Sequence, residues 1–162
     1  MQARLATIGD AEATRAIYNV EVTESTVTFD LVPRTPEEQR AWLSARSGAH
    51  AVLVAEDDTG EVIGFASLSP YRDRPAYSTT VENSVYVRRD QQGKGVGKLL
   101  LGDLVGLARS HGFHAMMARI VGGHDASIAL HRSLGFEIVG TEREVGRKFG
   151  RWLDVLVMQL LL

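Results

Sequence analysis

The stretch Gln92-Gly93-Lys94-Gly95-Val96-Gly97-Lys98 constrains the fold more than any other. Before it, Val81-Glu82-Asn83-Ser84-Val85-Tyr86-Val87 alternates and is rich in β-branched residues, which predicts a strand. After it, Val96, Leu99, Leu100, Leu104, Leu107, Ala108 and His111 recur at helical spacing. The order is therefore strand, glycine-rich turn, helix. Glycines on alternate positions let backbone approach a ligand with no Cβ in the way. The free N–H groups of the turn and first helical turn converge, and the helix dipole favours an anion there. Lys94 and Lys98 add positive charge. The stretch is a candidate diphosphate cradle.

Two familiar cradles are excluded. A nucleoside-triphosphate loop needs Gly-x-x-x-x-Gly-Lys-Ser/Thr. Here Leu99 follows Gly97-Lys98, and Gln92 stands where the first glycine belongs. A dinucleotide fingerprint needs Gly-x-Gly-x-x-Gly, and it meets Lys98 or Leu100 at its last position. What remains is Gln-x-x-Gly-x-Gly, built on Gln92, Gly95 and Gly97.

The chain has 162 residues, the size of one domain with a proper core, so a single domain over 1–162 is expected. The net charge is −2 and no lysine or arginine run occurs, which argues against a nucleic-acid partner. Without cysteine there is no disulfide, thiolate zinc site or acyl-cysteine intermediate. No apolar run has membrane-spanning length and no signal-peptide core opens the chain, so no membrane role and a cytoplasmic location are expected.

In chain order, residues 3–8 read as a strand. Asp10 is placed to cap a helix burying Ala13, Ala16, Ile17 and Val20, and residues 21–30 lose helical period and read as a loop. Thr35-Pro36-Glu37-Glu38 starts a second helix, running to about Ser47 with Trp42 and Leu43 inward. Residues 51–55 and 62–68 are strands around an Asp57-Asp58-Thr59-Gly60 turn. A polar loop holds Tyr71, Arg72, Asp73 and Arg74 before the Glu82 strand. After the cradle helix, stopped by Gly112, come a strand over 115–121 and a helix capped by Asp125 that ends at Gly135. Strands over 136–139 and 152–161 close the chain. This is an α/β chain, predicting a mixed, strongly twisted sheet with helices on both faces. His111-Gly112-Phe113-His114 straddles a helix end without a third ligand, so no metal site is predicted.

The glycine pattern resembles the acyl-CoA loop of the GNAT superfamily of N-acetyltransferases. Four further stretches resemble one branch of it, the phosphinothricin and methionine sulfoximine acetyltransferases. They are Thr23–Phe29, Thr80–Val87, Leu130-His131-Arg132-Ser133-Leu134-Gly135-Phe136 and Gly150–Val155. The resemblance implies acetyl-CoA as co-substrate, no metal, a small amino-acid acceptor acetylated on its α-amine, a detoxifying role and a homodimer. Gln92, Gly93, Lys94, Gly95, Val96, Gly97 and Lys98 would hold the diphosphate. Val85, Tyr86 and Val87 would offer backbone N–H groups to the thioester and its oxyanion. Ser127 and His124 would also contact the co-substrate, although the branch has Asn where this chain has His124. A neutral His donates and accepts once each, so that contact is open.

The same resemblance makes Glu82 the general base, directly or through a water, with burial raising its pKa. Asn83 and Ser84 lie beside it on the acceptor strand. His131 is either a proton donor to the leaving thiolate or a satisfied histidine on a helix face. Arg72 and Arg74 are suited to grip carboxylate or phosphinate, unless they merely pair with Asp73 or stay solvated. Phe29 and Tyr71 either wall the acceptor side chain or belong to the core. The rivals are an N-acetyltransferase for ordinary amino acids, polyamines or peptide N-termini, and a non-catalytic acyl-CoA sensor.

Overall fold

The computed structural model describes the whole chain, Met1–Leu162. Its sheet contains β1 (Gln2–Leu5), β2 (Val52–Glu56), β3 (Val62–Pro70), β4 (Thr80–Val87), β5 (Ala115–Val121), β6 (Glu137–Lys148) and β7 (Arg151–Leu161). Their order is β1-β2-β3-β4-β5-β7-β6. Neighbours are antiparallel except β4 and β5, which run parallel. The helices are α1 (Ala11–Glu24), α2 (Pro36–Ser44), α3 (Val96–Ser110) and α4 (Asp125–Ser133).

Helices cover both faces, as the pattern predicts. Strand side chains alternate, and β2 feeds two cores. Leu53 and Ala55 join Leu100, Leu101 and Leu104 of α3. Val52 and Val54 join Ile17, Tyr18 and Val22 of α1 and Leu43 of α2. The predicted start of α2 is present in full. Thr35 Oγ1 accepts from Glu38 N–H at 3.1 Å, and Glu38 Oε2 accepts from Thr35 N–H at 2.8 Å.

Helix α1, its expected cap and strand β6 differ most from the sequence reading, each for a local reason. Helix α1 continues to Glu24 and buries Ala11, Thr14, Ile17, Tyr18, Glu21 and Val22, whereas Val20 is exposed. Apolar periodicity misses this face because Thr14 and Glu21 are polar yet satisfied. Thr14 Oγ1 donates to Asp10 O at 2.9 Å, and Glu21 receives Arg89 Nε at 2.9 Å. Asp10 does not cap α1 with its side chain. Its carboxylate takes both ends of the Arg4 guanidinium at 2.8 and 2.9 Å, which holds its pKa below the ordinary carboxylate range. Strand β6 runs to Lys148 rather than stopping at Val139. As a mostly exposed edge strand with register shifts after Ile138 and Glu142, it carries no continuous apolar signal.

One feature of the sheet positions everything that follows. The β4–β5 ladder contains only Thr80↔Ala115, Val81↔Met116 and Glu82↔Met117. Beyond Glu82, β4 stays with β3 as far as Val87, and β5 stays with β7 as far as Val121. The central strands therefore separate, and a cleft opens through the middle of the sheet.

Candidate active site

A cleft of about 700 Å³ occupies this opening. It brings together Asn83, Ser84, Val85, Tyr86 and Val87 of β4, Gln92, Gly93, Gly95, Gly97 and Lys98 of the turn and α3, and His124, Ser127 and His131 at α4. The other sequence candidates stand apart from that lining. Val96 is buried in the core below the turn, and Lys94 donates outward to Gln91 Oε1 at 3.3 Å. Phe29, Glu82, Arg72, Asp73 and Arg74 lie on or near the opposite face of the sheet or in the exposed loop before β4.

The glycines of the turn serve two physical needs. Gly93 and Gly95 have φ of +75° and +87°, and a Cβ built on either meets only open space. These positions demand glycine for its conformation and leave the backbone bare toward the cleft. Gly97 lies inside α3, and its Cβ would come within 3.1 Å of Leu130 Cδ2. That glycine lets α4 press against the start of α3. The N–H groups of the first helical turn have no partner within α3 and face the cleft mouth beside Lys98, which fits a diphosphate. Gln92 turns back instead, donating to Val87 O at 3.3 Å.

The separated strand also frees donors. Arg88 N–H donates to Ile63 O on β3 at 2.9 Å. The register from Val81 to Val87 is unbroken, so Ser84 and Tyr86 direct their N–H groups to β3 as well. Those of Val85 and Val87 then face the side from which β5 has departed. Two backbone donors thus line the slot where a thioester carbonyl would lie, whereas the Tyr86 N–H is spent within the sheet. Tyr86 contributes its ring instead, stacked on Phe65 and edge-on to Tyr18.

Glu82 and Asn83 leave β4 on opposite faces. Asn83 points to α4, where its amide nitrogen donates to Met117 O at 3.1 Å and its oxygen meets His131 Nε2 at 3.0 Å. The other ring nitrogen lies 2.8 Å from Ser127 O. Both partners of the ring are acceptors, and one neutral imidazole supplies a single N–H. Burial lowers the His131 pKa, the backbone contact raising it only in part, so the ring cannot cheaply hold two protons.

Glu82 faces the other way, onto the open face of the β5-β7-β6 wing. Burial raises its pKa above the ordinary value, Arg119 and Arg72 pull it back, and Glu142 pushes it up. Arg119 and Glu142 went unmarked in the sequence reading. The signal for Arg119 was available, as the lone charge within Ala115-Met116-Met117-Ala118-Arg119-Ile120-Val121. Arg72 stacks over Tyr71 at 4.9 Å. Arg74 precedes the short 3₁₀ turn Pro75–Tyr77 and Asp73 is exposed beside it; neither pairs with Arg72.

The α1–α2 loop crosses the cleft and is fastened on both sides. His124 Nε2 lies 2.9 Å from Thr26 Oγ1, so this histidine is committed to the loop. Lys148, 3% exposed, donates to Thr28 O at 2.9 Å and Glu21 O at 3.4 Å. The Phe29 ring lies on Gly146 of β6, where a Cβ would come within 2.3 Å of it.

The match to an acetyltransferase (GNAT) domain model spans residues 3–157. The chain belongs to the GNAT acetyltransferase family. This GNAT chain is 47% identical over 158 residues to an L-methionine sulfoximine/L-methionine sulfone acetyltransferase of Pseudomonas paraeruginosa, covering 97% of this chain and 92% of that one. Among solved structures, a ribosomal-protein-alanine N-acetyltransferase from Brucella melitensis superposes with a TM-score of 0.97 at 42% identity, with both chains covered completely. A GNAT phosphinothricin acetyltransferase from Sinorhizobium meliloti in complex with AcCoA superposes with a TM-score of 0.95 at 41% identity, covering 99% of this chain and 88% of that one. The protein is an acyltransferase.

Proposed function

We propose that this GNAT protein transfers the acetyl group of acetyl-CoA to the α-amine of a small amino acid with a glutamate- or methionine-like side chain. Phosphinothricin, its arsenic analogue and methionine sulfoximine are the test acceptors. The observation that carries the reading is the opening of β4 from β5 just beyond Glu82. It leaves the donor slot, with the Val85 and Val87 N–H groups, on one side and a carboxylate of raised pKa on the other. A detoxifying role, a cytoplasmic location and a homodimer complete the proposal.

Acetyl-CoA supplies an acyl group on a thiol leaving group of pKa near ~8.5. The residues do the rest. The cradle from Gly93 to Lys98 binds the diphosphate, with Ser127 bordering the same cleft. Glu82 takes a proton from the incoming ammonium, directly or through a water, and frees the amine to attack. Its raised pKa brings it closer to the amine it must deprotonate. The Val85 and Val87 amides stabilise the carbonyl oxygen as it gains charge. The thiolate then takes a proton, for which His131 is the donor in the tautomer that carries its N–H on Nε2, where it faces Asn83 Oδ1. With no cysteine to carry the acyl group, transfer is direct within a ternary complex. Arg72, with Arg74 and Asp73 nearby, and Phe29 and Ser84 border the acceptor. The name of the Brucella relative favours a second reading, acetylation of a peptide N-terminus.

The test is thiol release from acetyl-CoA with those three acceptors, ordinary amino acids, a polyamine and an alanine-terminated peptide. Turnover of the amino-acid analogues, reduced about 10²–10⁴-fold in Glu82→Gln with acetyl-CoA binding retained, supports the proposal. Turnover of the peptide alone replaces it with the second reading. Acetyl-CoA binding with no turnover of any amine makes the protein a sensor.

A further inference from the structure

Strand β5 is buried at every position except Arg119. A charged side chain in the middle of a central strand, flanked by Ala118 and Ile120, needs a reason. The register supplies its direction. Glu82 lies opposite Met117 in the last rung of the β4–β5 ladder, and Arg119 is two residues further along the same face. It therefore stands one step beyond the point where the strands part, beside the base, and borders the cleft. Among charged groups it acts most strongly on Glu82.

Glu142 completes the row. It opposes Val155 of β7, while Arg119 opposes Val157, so both side chains emerge on the face that carries Glu82. The pair meets at one guanidinium nitrogen, Nη2 to Oε1, at 2.9 Å with both partners about one-third exposed. A guanidinium has five N–H donors, so one carboxylate oxygen leaves several free. Such a half-exposed pair is weak enough for an incoming anion to share or displace.

We propose that Arg119 is a specificity-determining cation of the acceptor subsite, binding the anionic or strongly dipolar oxygens at the end of the substrate's side chain, with Glu142 as the counter-ion that those oxygens displace. This rests on the acetyltransferase reading above and adds to it. An amino acid with an acidic side chain presents two oxygenated ends about its amine. Arg72 in the loop before β4 and Arg119 on β5 provide two cations on either side of Glu82, one for each end. Arg74 has no ion pair and precedes a 3₁₀ turn in the exposed loop, so it fits the second role less well.

The experiment compares wild type with Arg119→Met, Arg119→Lys and Glu142→Gln on phosphinothricin, methionine sulfone and methionine, reading KM and kcat for each and KM for acetyl-CoA. Arg119→Met is expected to raise KM for phosphinothricin roughly 10- to 100-fold, that for methionine sulfone less and that for methionine least. Arg119→Lys restores part of the loss, and Glu142→Gln lowers KM for phosphinothricin by releasing the guanidinium. The KM for acetyl-CoA stays put, and melting curves confirm that each variant is folded. If Arg119→Met affects all three acceptors equally, or if Glu142→Gln and Arg119→Met act in the same direction, the arginine is a structural pair partner and the assignment falls alone. If wild type acetylates none of the three, the acetyltransferase reading for amino acids falls and takes the assignment with it.

Discussion

At the scale of single residues, the site depends on a glycine that no pattern marks. Gly146 has an ordinary φ, and its lack of a Cβ makes room for the Phe29 ring, whose Cζ and Cε2 would lie 2.3 and 2.4 Å from that atom. Gly146→Ala must therefore move this ring, which the proposed function puts beside the acceptor. Acceptor KM should rise while acetyl-CoA KM holds, and Phe29→Ala should do the same. Because both act on one contact, the double variant should cost less than the sum of the singles. A double-mutant cycle on acceptor KM checks this, and full additivity contradicts it. Glu82 gives a second prediction with a definite sign. Burial and Glu142 raise its pKa, so the acid limb of kcat/KM should lie above the ordinary glutamate range. Glu142→Gln removes one raising charge and should move that limb to lower pH. A pH profile of the two proteins decides it, and a shift upward rules out Glu82 as the group observed. The family resemblance marked Glu82, and the sequence left Phe29 as either acceptor wall or core. It could not name Gly146 or Glu142, whose importance exists only where distant strands and loops meet.

At the scale of elements, the sequence was most legible where one segment decides its own structure. The strand-turn-helix unit from Val81 to Ser110 and the capped start of α2 are local statements, written in glycines, a capping box and apolar period. The C-terminal half of α1 and the length of β6 were not legible, because partners far along the chain determine both. Lys148 at the end of β6 is the clearest case. Its ammonium, buried beneath the α1–α2 loop, ties Thr28 O of that loop to Glu21 O of helix α1. Replacing it with Met removes the Lys148 donor from Thr28 O, while Glu21 O keeps the Ser25 N–H. The expected loss is about 1–3 kcal/mol, read as a lower denaturant midpoint at unchanged slope. Because the same loop carries Phe29 and Thr26, acceptor KM should rise together with the loss of stability. Unchanged stability would mean that the loop is held by the Phe29 and His124 contacts alone. His124 shows the limit of residue-by-residue transfer from relatives. At the position where Asn was expected to meet the co-substrate, this histidine reaches back to Thr26, and only the fold reveals that choice.

At the scale of the whole molecule, one wing of the sheet serves two purposes. Strands β6 and β7 end the sheet, and they and the turn between them carry exposed apolar side chains: Ile138, Val139, Val145, Phe149, Trp152 and Leu161. Val139, Phe149 and Trp152 are 59%, 57% and 59% exposed. An edge strand with this much exposed apolar surface is a site for pairing, and natural proteins either blunt such an edge or cover it. No proline lies in β6, and Val139, at a register shift of the ladder, is well exposed. A second copy of the chain is the occupant proposed here, because the symmetric use of one patch by two copies closes the assembly. Light scattering at micromolar concentration should therefore give the mass of a dimer. Val139→Lys sets a charge on the patch and should shift the mass toward the monomer while the melting profile stays cooperative. The wing also holds Glu142, Gly146 and Lys148 on its inner side, so its outer support and the acceptor wall are one piece of structure. Separation of the copies should then weaken the acceptor side more than the donor side, with acceptor KM rising and acetyl-CoA KM, set by the α3 cradle, barely moving. A wild-type monomer at that concentration sinks the assembly. A Val139→Lys monomer with both KM values unchanged would leave the dimer standing and sever its link to the site.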